Sequence, residues 1–178
     1  MRKPASILAA LAVALAPAVA WAHPGHGEGG GFAAGLLHPL SGVDHCAAML
    51  LAGAWAARLP QRGAWALPLG FCAAMLAGFA AAPWIGATLA ETLVMASVLG
   101  LGAAVLLRLC PPLPVALIAL GLFGFGHGLA HGLETPDGAT PWRFVIGFLA
   151  TSAVLQGIGM AMAKAFATGR RRAPADAS

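Results

Sequence analysis

The chain has 178 residues, of which 60% are hydrophobic and only 9% are charged. Because soluble domains have about 25% charged residues, this composition excludes a soluble globular enzyme, a disordered chain and a nucleic-acid binder. The net charge is +4, and the basic residues lie where such residues set the orientation of a protein in the membrane. We therefore expect the lipid bilayer as a partner and no nucleic acid, and the length allows one small membrane domain.

Residues 1–22 have the organisation of a secretory signal peptide. Arg2 and Lys3 precede an apolar stretch, and Ala20-Trp21-Ala22 is a typical cleavage site. The alternative is an uncleaved first transmembrane helix, for which the apolar stretch is short.

Cleavage would leave residues 23–34 as a flexible periplasmic tail rich in histidine and glycine. His23 and His26 lie in this tail and could bind a metal ion loosely through their imidazoles. The alternative is a simple exposed linker.

The rest of the chain predicts an all-α fold, a polytopic helical membrane bundle over residues 35–166 with a cytoplasmic basic tail over residues 167–178. We count about five transmembrane helices, each long enough to cross a hydrocarbon core about 30 Å thick. Proline and glycine mark the joints between them. The predicted spans are Gly35–Ala57, Trp65–Ala82, Trp84–Leu107, Leu113–Leu133 and Trp142–Ala165.

The basic residues predict how the bundle is oriented. Signal cleavage would place the mature N-terminus outside the cell membrane, and five crossings would then place the C-terminus in the cytoplasm. Beyond the signal peptide, Arg143 is the one basic residue on the predicted periplasmic side, as the positive-inside rule requires for a multi-pass inner-membrane protein. The other basic residues all lie on the predicted cytoplasmic side, and they are Arg58, Arg62, Arg108, Lys164, Arg170, Arg171 and Arg172.

Ionisable side chains inside membrane spans are costly and are typical of functional sites. In this chain they fall into two compact motifs and one isolated acid. The groups are His38, Asp44 and His45 in span one, His127, His131 and Glu134 at the end of span four, and Glu91 in span three.

Helical spacing decides which of these side chains can act together. His127, His131 and Glu134 are spaced i, i+4 and i+7, on one face of a helix. The span boundaries divide the ionisable side chains into two sets. The members of one set lie at a similar depth in the outer half of the membrane, and those of the other lie nearer its outer surface, at the mouth of the bundle. The deeper set is His45, Glu91 and His127, and the set near the mouth is His38, His131 and Glu134.

Asp44 precedes His45 and projects about 100° away from it in a regular helix. It could bind a metal directly only if the helix is distorted, and Pro39 and Gly42 make a distortion plausible. Otherwise Asp44 could reach a neighbouring helix or orient an imidazole.

Imidazole and carboxylate together suit divalent first-row metals such as nickel, cobalt and zinc. Gln156, deep in span five, could line the inner half of a path or form a hydrogen bond between helices. The cysteines are too dispersed for a thiolate site and are expected to pack as small apolar residues. They are Cys46, Cys72 and Cys110.

Enzyme motifs are missing from the sequence. It has no H-E-x-x-H, no G-x-S-x-G and no Walker A motif. We therefore expect that the protein is not an enzyme and that it holds no permanently bound cofactor.

The two histidine motifs resemble the signatures of the HupE/UreJ family of small bacterial membrane proteins. The first signature is a histidine, five residues and Asp-His, which matches His38, Asp44 and His45. The second, Phe-His-Gly-x-Ala/Val-His-Gly-x-Glu, matches from His127 to Glu134, although glycine stands where the phenylalanine is expected.

The resemblance implies an inner-membrane permease that carries Ni²⁺, with Co²⁺ open as an alternative, into the cytoplasm for hydrogenase or urease maturation. The expected route runs from the tail to the mouth set and then to Asp44, His45 and His127, with Glu91 near. One alternative is a non-transporting metal chaperone or sensor. Another is a haem-binding membrane electron carrier, which the narrow bundle of small residues disfavours.

Overall fold

A computed structural model describes residues 31–59, 65–135 and 140–172 of the chain. These residues form helices and short connections, with no β-strand among them, which confirms the predicted all-α membrane bundle. The predicted signal peptide, together with His23 and His26 of the predicted tail, lies outside the described residues.

Six α-helices and one short 3-10 turn make up the described structure. Four of the helices are long and apolar enough to cross a membrane, namely α3, α4, α5 and α6. For α3 this length includes the 3-10 turn that follows it. Helix α2 is also apolar but shorter. The helices are α1 (Phe32–Ser41), α2 (Val43–Ala56), α3 (Ala66–Ala81), α4 (Ala87–Leu106), α5 (Leu113–Leu133) and α6 (Pro141–Arg172), and the 3-10 turn is Ala82–Trp84.

The predicted first span is a broken helix. Helices α1 and α2 meet at Gly42, whose backbone is extended with φ −106° and ψ 122°. Pro39 lies within α1, where its ring removes a backbone donor and weakens the helix just before the break. The distortion expected from Pro39 and Gly42 is therefore present, and α1 begins at Phe32, three residues before the predicted start at Gly35.

Two other boundaries differ from the prediction. The third span starts at Ala87 rather than Trp84, because Pro83 lies in the 3-10 turn, which separates α3 from α4. The last helix continues to Arg172, into the stretch predicted as a basic tail.

Glycines allow the helices to pack with their backbones nearly touching. Helix α5 packs on α3, and α6 packs on both α1 and α2. A Cβ atom on Gly128 of α5 would collide with the carbonyl oxygen of Met75, and one on Gly53 of α2 would collide with that of Gln156. Close backbone contact of this kind is how helices associate where lipid provides no hydrophobic drive.

The connections lie at two opposite ends of the bundle. At one end, the indole Nε1–H of Trp55 donates to the carbonyl of Leu109 at 2.8 Å, and the Cys110 thiol lies 3.9 Å from the carbonyl of Arg58. We call this the Arg58 end. His38 and Glu134 meet at the other end, which we call the Glu134 end.

Candidate metal centre

Four histidines from three helices form one continuous array that begins at the Glu134 end. The ring of His38 on α1 lies 4.9 Å from that of His131 on α5, measured between centroids. The ring of His45 on α2 lies 4.8 Å from His131 and 4.9 Å from His127. The two sequence motifs, far apart along the chain, therefore meet inside the bundle.

The array contains two groups that could each hold a metal ion. His38, His131 and Glu134 form the first, which we call the mouth group, and His45, His127 and His131 form the second, which we call the deep group. In each group the candidate ligand atoms all lie within 4.8 Å of one another. His131 belongs to both groups, so the two share one ligand.

The two groups differ in their access to the surface. In the mouth group, the side chains of His38 and Glu134 are 25% and 47% exposed. In the deep group, His127 and His131 are fully buried. The mouth group therefore combines a carboxylate with access to the surface. The deep group consists of imidazoles in the apolar interior, where an unpaired charge would be costly.

Ser97 of α4 determines which nitrogen of His127 is free. Its hydroxyl lies 2.6 Å from the carbonyl of Val94 and 2.8 Å from Nε2 of His127. Because a hydroxyl has one proton and a carbonyl only accepts, Ser97 donates to Val94 and accepts from the Nε2–H of His127. Nδ1 of His127 then keeps its lone pair, and it has no hydrogen-bond partner among the described residues.

Asp44 determines in a similar way which nitrogen of His45 has a free lone pair. One carboxylate oxygen, Oδ1, accepts from the backbone N–H of His45 at 2.9 Å and from its ring Nδ1–H at 3.1 Å. This leaves Nε2 of His45 as the atom with a lone pair, and it too is buried without a partner in the described part of the chain. Asp44 lies outside both metal-capable groups, so its geometry is that of an orienting partner rather than a ligand.

His131 has no hydrogen bond to either ring nitrogen within the described ranges. Its ring packs against that of Phe148 at 4.6 Å between centroids. A buried imidazole with two unpartnered nitrogens is costly, and a metal ion bound to it would remove part of that cost. Three neighbouring imidazoles, each with an unpartnered buried nitrogen, are a donor set that suits nickel, cobalt or zinc.

At the mouth, Nε2–H of His38 donates to Oε2 of Glu134 at 2.9 Å. This contact joins α1 to the end of α5 and brings a carboxylate to the entrance of the array. Glu134 lies just beyond the last residue of α5, Leu133, so it is positioned by the same helix that carries His127 and His131.

Glu91, predicted near the deeper set, is not brought to the histidines. It lies exposed on α4 and belongs to neither metal-capable group. The buried stripe of this helix instead contains Ala90, Val94 and Ser97, so the rotation of α4 about its axis turns Glu91 outward and Ser97 inward. Ser97 was missing from the predicted site, because the apolar residues around α4 give no signal of which side faces the bundle.

The sequence also matches a known protein family. The family model described as HupE / UreJ protein matches residues 11–176. The chain belongs to the HupE / UreJ family. This confirms the resemblance carried by the two histidine motifs.

A relative named Protein HupE, from Rhizobium leguminosarum bv. viciae, is 37% identical over 158 residues, which cover 88% of this chain and 80% of that protein. No solved structure matches the chain. HupE / UreJ is a family of membrane proteins related to nickel or cobalt transport and not a family of enzymes.

Proposed function

We propose that this protein is a permease of the bacterial inner membrane that carries Ni²⁺, and alternatively Co²⁺, into the cytoplasm for hydrogenase or urease maturation. The observation that carries the proposal is the deep group, in which His45, His127 and His131 each offer a ring nitrogen within 4.8 Å of the others. Each of these histidines also has a buried ring nitrogen with no hydrogen-bond partner among the described residues. Membership of a family related to nickel and cobalt transport supports the choice of metal.

The mouth group is suited to capture the hydrated ion. Glu134 provides a partly exposed negative charge, and His38 and His131 provide nitrogens within 4.8 Å of it. The carboxylate offsets part of the charge of the cation where the surroundings become apolar, and the imidazoles favour first-row transition metals over calcium and magnesium.

His131 allows transfer from the mouth group to the deep group without complete release of the ion. Because it is shared by both groups, an ion can keep this ligand while it exchanges His38 and Glu134 for His45 and His127. Asp44 and Ser97 hold the receiving rings with their lone pairs free, so little reorientation is needed when the ion arrives. Protonation of these imidazoles removes the lone pairs, so acid opposes uptake.

The distribution of charge supports transport into the cytoplasm. The Arg58 end also carries Arg108, which lies one residue before Leu109, and the positive-inside rule places such an end in the cytoplasm. The Glu134 end then faces the periplasm. A membrane potential that is negative inside favours entry of a dication by about 4.6 kcal/mol per 100 mV, twice the value for a single charge.

The test is Ni²⁺ uptake by proteoliposomes that contain only this protein, for the unaltered chain, His45→Ala and His127→Ala. We expect uptake by the unaltered protein and its loss in both variants, with normal membrane insertion. Thr92→Val, on the exposed face of α4 and outside both metal-capable groups, is the control and should retain most of the uptake. Wild-type uptake in both deep-group variants would exclude the site, and binding without flux in the unaltered protein would indicate a chaperone or sensor.

A further inference from the structure

Helix α6 presents a stripe of fully buried side chains spaced four residues apart. Phe144, Phe148, Ser152 and Gln156 are all inaccessible to solvent. The first two lie against the histidine array, with Phe144 at 5.3 Å from His38 between ring centroids. The stripe therefore continues from the histidines toward the Arg58 end and becomes polar along the way.

The polar part begins one helical turn beyond the residue that packs against His131. Phe148 contacts His131, and Ser152 and Gln156 follow it by four and eight residues. At 1.5 Å per residue they lie about 6 and 12 Å farther along the helix axis. His127 also lies four residues from His131 toward the Arg58 end. Ser152 is therefore level with His127, and Gln156 lies about 6 Å beyond the deep group.

These buried polar atoms lack the partners that such atoms normally have. Oγ of Ser152 and Oε1 of Gln156 have no hydrogen-bond partner among the described residues. Hydroxyls inside helices usually bond to a carbonyl three or four residues earlier, as Ser97 and Thr92 do here. Leaving such groups unpaired in an apolar interior is costly, and apolar side chains of similar size would avoid that cost.

Neighbouring helices fix the position of Gln156. Its Nε2–H₂ lies 3.8 Å from Sγ of Cys72 on α3, and Gly53 of α2 packs directly against its backbone carbonyl. The amide is therefore held where α2, α3 and α6 converge, with its Oε1 left without a partner.

We propose that Ser152, Gln156 and Cys72 form a third binding station for the divalent cation, on the side of the deep group that faces the Arg58 end. We call it the release station. This inference rests on the proposed function, since it supposes an ion that moves beyond the histidines. The station offers neutral oxygens and a thiol rather than imidazoles and carboxylate. An ion that must leave needs a site weaker than the one before it, and neutral donors that let it keep part of its water meet that need.

The test separates binding from flux. In proteoliposomes, Gln156→Leu and Ser152→Ala should each lower the rate of Ni²⁺ uptake by about tenfold, as expected when a polar interaction is lost along the route. Calorimetric titration of the purified variants should give wild-type Ni²⁺ affinity, because the histidines are unchanged. Thr151→Val is the matched control: its hydroxyl donates to the carbonyl of Leu36 at 2.7 Å, and its loss should leave the uptake rate unchanged.

A gain-of-binding variant gives an independent readout if Gln156→Leu folds poorly. Gln156→Cys would place a second thiol beside Cys72, and Cd²⁺, which favours thiolates, should then block Ni²⁺ uptake until a chelator removes it. Adding Cys72→Ser to that variant should abolish the block.

The outcomes distinguish this inference from the proposed function. If the unaltered protein transports Ni²⁺ while Gln156→Leu and Ser152→Ala transport it equally fast, the release station is wrong and the permease stands. Equal loss of uptake in Thr151→Val would also overturn the station, because it would indicate general destabilisation. If the unaltered protein neither binds nor transports Ni²⁺, the proposed function itself fails.

Discussion

The chemistry of the centre depends on which nitrogen of each imidazole carries the proton. Ser97 and Asp44 each accept a hydrogen bond from one ring nitrogen and thereby leave the other with a free lone pair. Ser97 lies on α4 and accepts through a hydroxyl, whereas Asp44 lies on α2 and accepts through a carboxylate. Both leave one nitrogen of the imidazole free to bind a metal. Such outer partners commonly change metal affinity by about 10–100-fold.

Removing the partner of His127 should weaken metal binding without removing a ligand. Ser97→Ala leaves Nε2 of His127 unpartnered, so the imidazole can take either tautomer and can rotate, and we expect Ni²⁺ affinity to fall by about tenfold. Titration calorimetry measures the affinity, and ¹⁵N NMR of the histidines reports the tautomer.

Ser97→Thr, which keeps the hydroxyl, should restore both the affinity and the NMR signature. Thr92→Val on the same helix is the control, since its hydroxyl bonds only to the carbonyl of Thr88, and it should behave as the unaltered protein. Unchanged ¹⁵N shifts in Ser97→Ala would show that Ser97 does not set the tautomer.

The two acids of the outer region should differ in their effect on capture. Glu134→Gln keeps the size and a hydrogen-bonding oxygen beside His38 but removes the charge, so we expect the KM for Ni²⁺ uptake to rise several-fold. Glu91→Gln, on the exposed face of α4, should leave KM unchanged. Initial uptake rates over a range of Ni²⁺ concentrations measure both, and a larger effect from Glu91 would return that acid to the site.

At the scale of helices, the centre depends on how closely α5 approaches α3. Gly128 lies between the two histidines of α5 and faces the backbone of α3 at Met75. The position of both imidazoles is therefore tied to a contact that only glycine permits.

A single methyl group at this contact should displace the histidines. Gly128→Ala brings a Cβ into the carbonyl of Met75, so we expect a loss of about 1–3 kcal/mol in the free energy of unfolding together with weaker Ni²⁺ binding. Gly121→Ala on the same helix meets nothing within 4 Å and should be neutral or slightly stabilising, because alanine favours helix. Thermal unfolding in detergent compares the two variants, and equal stability would contradict the close contact.

The same elements show how far the sequence can predict the structure. The i, i+4, i+7 spacing predicted that His127, His131 and Glu134 share one face, and Pro39 with Gly42 predicted the break in the first span, since both follow from local backbone geometry. The rotation of α4 could not be predicted in this way. Nearly every side of that helix is apolar, because lipid and the bundle interior both accept apolar residues, so periodicity did not indicate that Ser97 faces inward and Glu91 outward.

At the scale of the whole molecule, the side chains along the proposed route change in charge and donor type from the Glu134 end to the Arg58 end. The mouth group combines charge with access, the deep group has neutral nitrogens, and the buried stripe of α6 adds neutral oxygens toward the Arg58 end. This order fits the proposed capture, dehydration and release of a cation. We expect the membrane potential to drive this movement.

Uptake should therefore respond directly to an imposed potential. For a dication, 100 mV negative inside is equivalent to about 4.6 kcal/mol, or an equilibrium accumulation on the order of a thousandfold. Proteoliposomes with potassium gradients and valinomycin provide graded potentials, and Ni²⁺ accumulation should increase with each step and collapse when the gradient is dissipated. His127→Ala vesicles under the same potentials control for leakage. A different result would contradict this expectation: accumulation that depends on an imposed proton gradient and does not change with the potential. The ion would then exchange with protons without net movement of charge. In that case the imidazoles would carry protons as well as act as ligands.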